Sequence, residues 1–170
     1  MEWYEEYVAT ALRLGATDAK IIRTDSVATA AWVRMKCRYG CGYYGSNLCC
    51  PPNSPTFAET NELLSCYAHA LLVHIKKDVH TEPHPTKIVA ALEREMFLAG
   101  HYKAFALGAG PCRICENCNR VHCINPKDAR PSMESCGIDV FQTARNNGFT
   151  IEVLTDRHCS VDRFGLVLIE

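Results

Sequence analysis

His69-Ala70-Leu71-Leu72-Val73-His74-Ile75 is an almost unbroken apolar run. Its length and content are those of a buried strand. The neighbouring segments read as helices. Pro55 to Cys66 has helical character, with Pro55 tolerated in the first turn. After a proline-containing loop from His80 to Pro85, Thr86 caps a predicted helix that reaches Ala99. Ile88, Ala91, Leu92 and Met96 fall on one face of it, and Gly100 stops it. Tyr102 to Leu107 reads as a second buried strand.

Farther out, Glu2 to Leu14 has helical spacing and ends at Gly15. Ala19 to Arg23 is expected as a short strand, and Ala30 to Lys36 as extended. Ser132 caps an expected helix to Asn147, which Gly148 ends. Thr150 to Leu154 and Phe164 to Ile169 read as strands. Alternating helices and buried strands give the α/β class. The expectation is a mostly parallel or mixed central sheet flanked by helices. No linker divides the chain, so residues 1–170 are read as one domain.

Composition narrows the function. The 170 residues are 48% hydrophobic and 22% charged, with a net charge of -1, so no broad attraction to nucleic acid or anionic membrane is expected. The N-terminus lacks the basic and apolar regions of a signal peptide. No stretch has the ~18 apolar residues of a membrane span. A cytoplasmic location is expected.

The 11 cysteines are the anomaly. They are odd in number and clustered. Thiols grouped this way in a reducing compartment hold metal or do redox chemistry more often than they form disulfides.

The tightest group lies in Gly110-Pro111-Cys112-Arg113-Ile114-Cys115-Glu116-Asn117-Cys118-Asn119-Arg120-Val121-His122-Cys123. Three thiols in two C-x2 steps resemble the ferredoxin run C-x2-C-x2-C-x3-C-P, with a longer last gap and a later proline, Pro126. Cys112, Cys115, Cys118 and Cys123 are the candidate ligands of an iron–sulfur cube. Zinc is the alternative, although three thiols in consecutive C-x2 steps suit a single tetrahedral ion poorly. His122 is a lesser substitute for Cys123. Gly108 and Gly110 permit tight turns and offer amides to cluster sulfurs.

A second group holds Cys37, Cys41 and the adjacent pair Cys49-Cys50. Of the pair, Cys50 is favoured as a ligand because Pro51-Pro52 stiffens the chain after it. Three cysteines on a four-iron cube would leave one iron open. The blander reading is a zinc knuckle or a cysteine-rich loop. Cys37 and Cys112 each follow an expected strand. If those strands are parallel, both groups emerge at one edge of the sheet.

Cys66 and Cys136 are read as core packing, and Cys159 as a loop residue. His80 and His84 are read as solvated loop residues. Arg130 lies in a loop before a helix cap, with the alternative of placing charge near a cluster.

Three strings carry a family resemblance: Cys37-x3-Cys41 leading to Cys50-Pro51-Pro52-x-Ser54-Pro55; Gly110-Pro111-Cys112-x2-Cys115-x2-Cys118; and Ala129-Arg130-Pro131-Ser132-Met133-Glu134-x2-Gly137-Ile138-Asp139-Val140. Together they resemble the predicted metal-binding proteins of domain of unknown function 2284, across about Cys37 to Leu154. The resemblance implies a metal and the ligand set Cys37, Cys41, Cys50, Cys112, Cys115, Cys118 and Cys123. Cys49 and Cys136 depart from the pattern.

The leading expectation is one or two [4Fe-4S] clusters used for electron transfer or redox chemistry, with a redox protein as partner. An enzyme with an open iron, and a zinc-stabilised scaffold, are the alternatives.

Overall fold

The computed structural model describes residues 2–77, 84–155 and 160–170. Among them are α1 (Glu2–Arg13), β1 (Asp18–Arg23), α2 (Ala31–Gly40), α3 (Phe57–Ser65), β2 (His69–Lys77), α4 (Pro85–Leu98), β3 (Phe105–Leu107), α5 (Val140–Asn146) and β4 (Val161–Leu168). Short 3-10 turns cover Thr24–Ser26 and Glu134–Cys136.

The four strands form one sheet in the order β1-β2-β4-β3. Every neighbouring pair is antiparallel. The expected parallel or mixed sheet is therefore corrected, while the α/β class holds. The apolar run at 69–75 reports burial on both faces, and a central antiparallel strand between two helical layers meets that condition equally well. The β2-α4-β3 crossover does return the chain in its original direction. However, β4 occupies the slot between β2 and β3, as in a split βαβ unit. Leu166 accordingly sits opposite Leu72 on one side and Leu107 on the other.

Side-chain alternation along the strands supplies two cores. Leu71, Val73, Ile75 and Val167 face α1 and α4, where they meet Ala11, Ile88, Leu92 and Met96. Gly165 brings α4 close, since a Cβ there would lie 2.7 Å from Val89 Cγ1. Leu72, Leu107, Phe164, Leu166 and Leu168 face the other way, toward Leu64, Met133, Cys136, Ile138 and Ala144.

Several local expectations change. Of the expected extended segment Ala30 to Lys36, only Ala30 is extended, as the N-cap; Ala31 to Lys36 open α2, with Val33 buried. The expected helix from Ser132 to Asn147 is split. Gly137 takes a left-handed φ of 81°, after which Asp139 caps the separate α5 by accepting from Gln142 N at 3.0 Å. No strand forms at 150–154, where only Ile151 is buried. The loop expected at His80 lies outside the described residues, as does Cys159. Pro85 begins α4, and His84 is its N-cap.

Candidate metal centre

The segment 132–139 joins the two cysteine loops. On one side, Gly108, just past β3, donates to Pro131 O at 2.8 Å and accepts from Met133 N at 2.9 Å, which ties the Cys112 loop to this strut. On the other side, Ala30 N reaches Gly137 O at 2.9 Å and Asp139 N reaches Ala28 O at 2.8 Å. Side chains complete the attachment. Arg34 and Ser54 Oγ both donate to Ser135 O, at 2.5 and 2.7 Å, and Thr60 Oγ1 donates to Cys136 O at 2.6 Å. The cysteine groups thus meet beyond the end of edge strand β3. The route is not the one expected, because Cys37 lies within α2 and follows no strand.

Two cavities share the thiols. One of about 250 Å³ is lined by Cys37, Cys41 and Cys50, together with Tyr43, Tyr44 and Glu134. The other, about 20 Å³, is lined by Cys49, Cys112, Cys115, Cys118 and Cys123. The adjacent residues Cys49 and Cys50 therefore line different cavities.

Asn47 sets this split. Its Oδ1 accepts from Cys49 N at 2.9 Å while its Nδ2 donates to Cys50 Sγ at 3.3 Å. Side-chain amides that turn back on nearby backbone are a known loop-shaping device of asparagine. Asn125 plays a matching part in the other loop, donating from Nδ2 to Cys115 Sγ at 3.0 Å.

Electrostatics differ between the cavities. Burial pushes Cys37 up, helped by the neighbouring Cys41. Burial also raises Cys50, opposed by the Asn47 hydrogen bond. Cys112 is held down at about 6, chiefly by the hydrogen bond from Cys49, and Cys49 is raised by the same contact. Thiolates are the metal-binding form, so a low thiol in a cluster of sulfurs suits a ligand. Glu134 is raised by burial, against lowering contacts that include Ser132 and the backbone N–H of Gly110.

A larger cleft of about 570 Å³ opens beside the first cavity and shares Cys37, Cys41, Gly110, Pro111 and Glu134 with it. Trp32, Phe141 and Phe164 give it an apolar wall, and Lys36 and Arg113 reach it as cations. Among the described residues, no three His, Cys, Asp or Glu side chains converge as the ligands of a single ion would. The thiols are distributed around cavity walls instead.

The family model described as Predicted metal-binding protein (DUF2284) matches residues 20–169. The chain belongs to this family. No curated protein and no solved structure matches it. A metal is implied for the DUF2284 domain by the family's description, and the donor chemistry fits one: seven free thiols of the expected set face two neighbouring cavities.

The remaining expectations divide. Cys136 packs in the core as expected, 1% exposed. Cys66 does not; it is exposed at the end of α3, its Sγ near Glu62 O at 3.5 Å. His122 is exposed and lines neither thiol cavity, whereas Cys123 does. The Gly108 N–H is committed to Pro131 O and not to a sulfur. Arg130 is committed to Glu93. Among the described residues no helix is long and apolar enough to cross a membrane.

Sequence reasoning missed Asn47, Asn125 and Glu134. The asparagines carried a signal, each standing two or three residues from a cysteine in a glycine- and proline-rich loop. Glu134 stood in the third resemblance string but was given no role, since an acid two residues after a helix-cap serine looks like an ordinary first-turn carboxylate.

Proposed function

We propose that the protein holds two [4Fe-4S] clusters and transfers electrons between them and a redox protein partner. Cys112, Cys115, Cys118 and Cys123 ligate one, and Cys37, Cys41 and Cys50 ligate the other. The observation that carries this reading is the parting of the thiols into two neighbouring groups on either side of the Cys49-Cys50 peptide. Thiols spread around a wall suit a broad cluster, whereas zinc draws its sulfurs to about 2.3 Å from one point.

When bound, such clusters supply one-electron redox chemistry. The chain's own residues hold the thiolates and aim donors at sulfur. Asn125 serves Cys115, Asn47 serves Cys50, and the Cys112 N–H also faces Cys50. Hydrogen bonds to sulfur tune the potential of a cluster. Cys49 is the neighbour of Cys112 in this reading and not a fourth thiolate of the second cluster.

A second reading, an enzyme acting on a small substrate at an open iron, is favoured by the 570 Å³ cleft that meets Cys37 and Cys41.

The test is anaerobic purification with iron, acid-labile sulfide and zinc counted per chain. About eight irons and eight sulfides are expected, falling to about four of each in Cys115→Ser. Zinc without sulfide would end the redox reading.

A further inference from the structure

We propose that Glu134 is the fourth protein ligand of the Cys37–Cys41–Cys50 centre, so that this cluster is held by three thiolates and one carboxylate. The inference rests on the iron–sulfur reading above.

Glu134 lines the same 250 Å³ cavity as the three thiols. Its Oε2 is fully enclosed and has no hydrogen-bond partner, although the carboxylate is approached by the Gly110 N–H and the Ser132 hydroxyl. An enclosed polar atom without a partner is costly, and a buried charge is normally paired or bound to metal.

The nearby cation does not meet that need. Arg34 gives Nη1 to Ser54 Oγ at 2.8 Å and to Ser135 O at 2.5 Å. Arg113, on the wall of the adjoining cleft, lies over the Tyr43 ring at 5.7 Å.

The carboxylate is also held in place. Glu134 begins the 3-10 turn 134–136, and the carbonyls of the next two residues are tied down by Arg34, Ser54 and Thr60. The backbone beneath it is thus fixed from α2, from the end of the Cys37–Cys50 loop and from α3. A four-iron cluster needs four ligands, and this group supplies three sulfurs. Tyr43, Tyr44, Ser132 and Ser135 also line the wall, but the tyrosines are exposed and both serine hydroxyls are hydrogen-bonded. Glu134 Oε2 is therefore the buried oxygen donor left without a partner, a hard ligand that iron accepts. Because Glu134 also lines the larger cleft, the oxygen-bound corner would face that cleft.

The experiment uses the full chain carrying Cys115→Ser, which removes the other cluster, reconstituted without oxygen with ferrous iron and sulfide. Iron, sulfide and the EPR spectra of oxidised and reduced protein are compared for this parent, Glu134→Ala, Glu134→Gln and Glu134→Cys. About four irons per chain are expected in the parent and about three in Glu134→Ala and Glu134→Gln, with the EPR signal of an oxidised three-iron cluster. Glu134→Cys should restore about four irons with an altered spectrum. Glu134→Gln keeps the size of the side chain and decides the matter if Glu134→Ala does not fold. Full iron with an unchanged spectrum in Glu134→Gln overturns the inference while leaving the cluster reading intact. A parent with zinc and no sulfide overturns both.

Discussion

Arg130 grips Glu93 through two contacts of 2.6 Å, both side chains mostly buried. Glu93 also accepts from Ala106 N at 2.7 Å, and Arg130 donates to Pro126 O and Ala129 O at 3.0 and 2.8 Å. One ion pair thereby fastens the chain after Cys123 to α4 and β3. A forked guanidinium on a carboxylate is the strongest ion-pair geometry a protein makes, and cutting a buried pair strands the survivor. The residual exposure of this pair moderates the loss. Arg130→Ala should lower stability by about 2–4 kcal/mol, toward the lower side of the range for fully buried pairs. Urea unfolding followed by circular dichroism measures this. Unchanged stability would mean that the pair does not anchor the loop. The sequence reading of Arg130 as a loop residue before a helix cap gains a structural tie, and the alternative of a charge near the thiols keeps support from its interaction with Cys49.

Gly137 decides where one element stops. It breaks the segment expected to be a single helix, and its φ of 81° brings the chain against Phe57, whose Cβ would lie 2.7 Å from an added Cβ. Gly137→Ala should destabilise by about 2–3 kcal/mol through a strained φ and this clash. A fall in the melting temperature, with Gly100→Ala as a positive-φ control in open space, separates clash from strain. The elements that were legible are those whose periodicity arises locally. α3 was read as helical from Pro55 but starts at Phe57, after the unread capping box of Thr56 and Glu59; the apolar face of Ile88, Leu92 and Met96 marks α4, and the run at 69–75 marks β2. The misread elements depend on partners far along the chain. Ala30 has no side-chain cap for α2, and it owes its place to Gly137 O. Strand direction was also hidden, because insertion of the last strand between β2 and β3 leaves no trace in the local pattern of either. The thiols themselves were legible by spacing, but their division between two cavities depends on the Asn47 hydrogen bonds.

On the scale of the whole molecule, fold and metal loops are separable. Both hydrophobic cores form around the sheet, and among the described residues Cys136 is the one cysteine they contain. A chain of 170 residues can bury enough apolar surface to fold without a metal staple. Removing metal with a chelator under reducing conditions should leave far-UV circular dichroism and cooperative unfolding in place. Hydrogen exchange should accelerate in residues 41–54 and 111–129 and remain slow in β2 and β4. Global unfolding on chelation would show that the metal supports the fold, as it does in small zinc domains. Between the two thiol cavities the backbone runs directly from Cys49 to Cys50, whose Cα atoms are about 3.8 Å apart. Any settling of the chain at one of these residues restricts the other. The ordering entropy of the two cavity walls is therefore lost once and serves both. Under the two-cluster reading, filling of one cavity would favour filling of the other through this shared restriction, and iron bound against iron added would rise sigmoidally, with no contact needed between the contents.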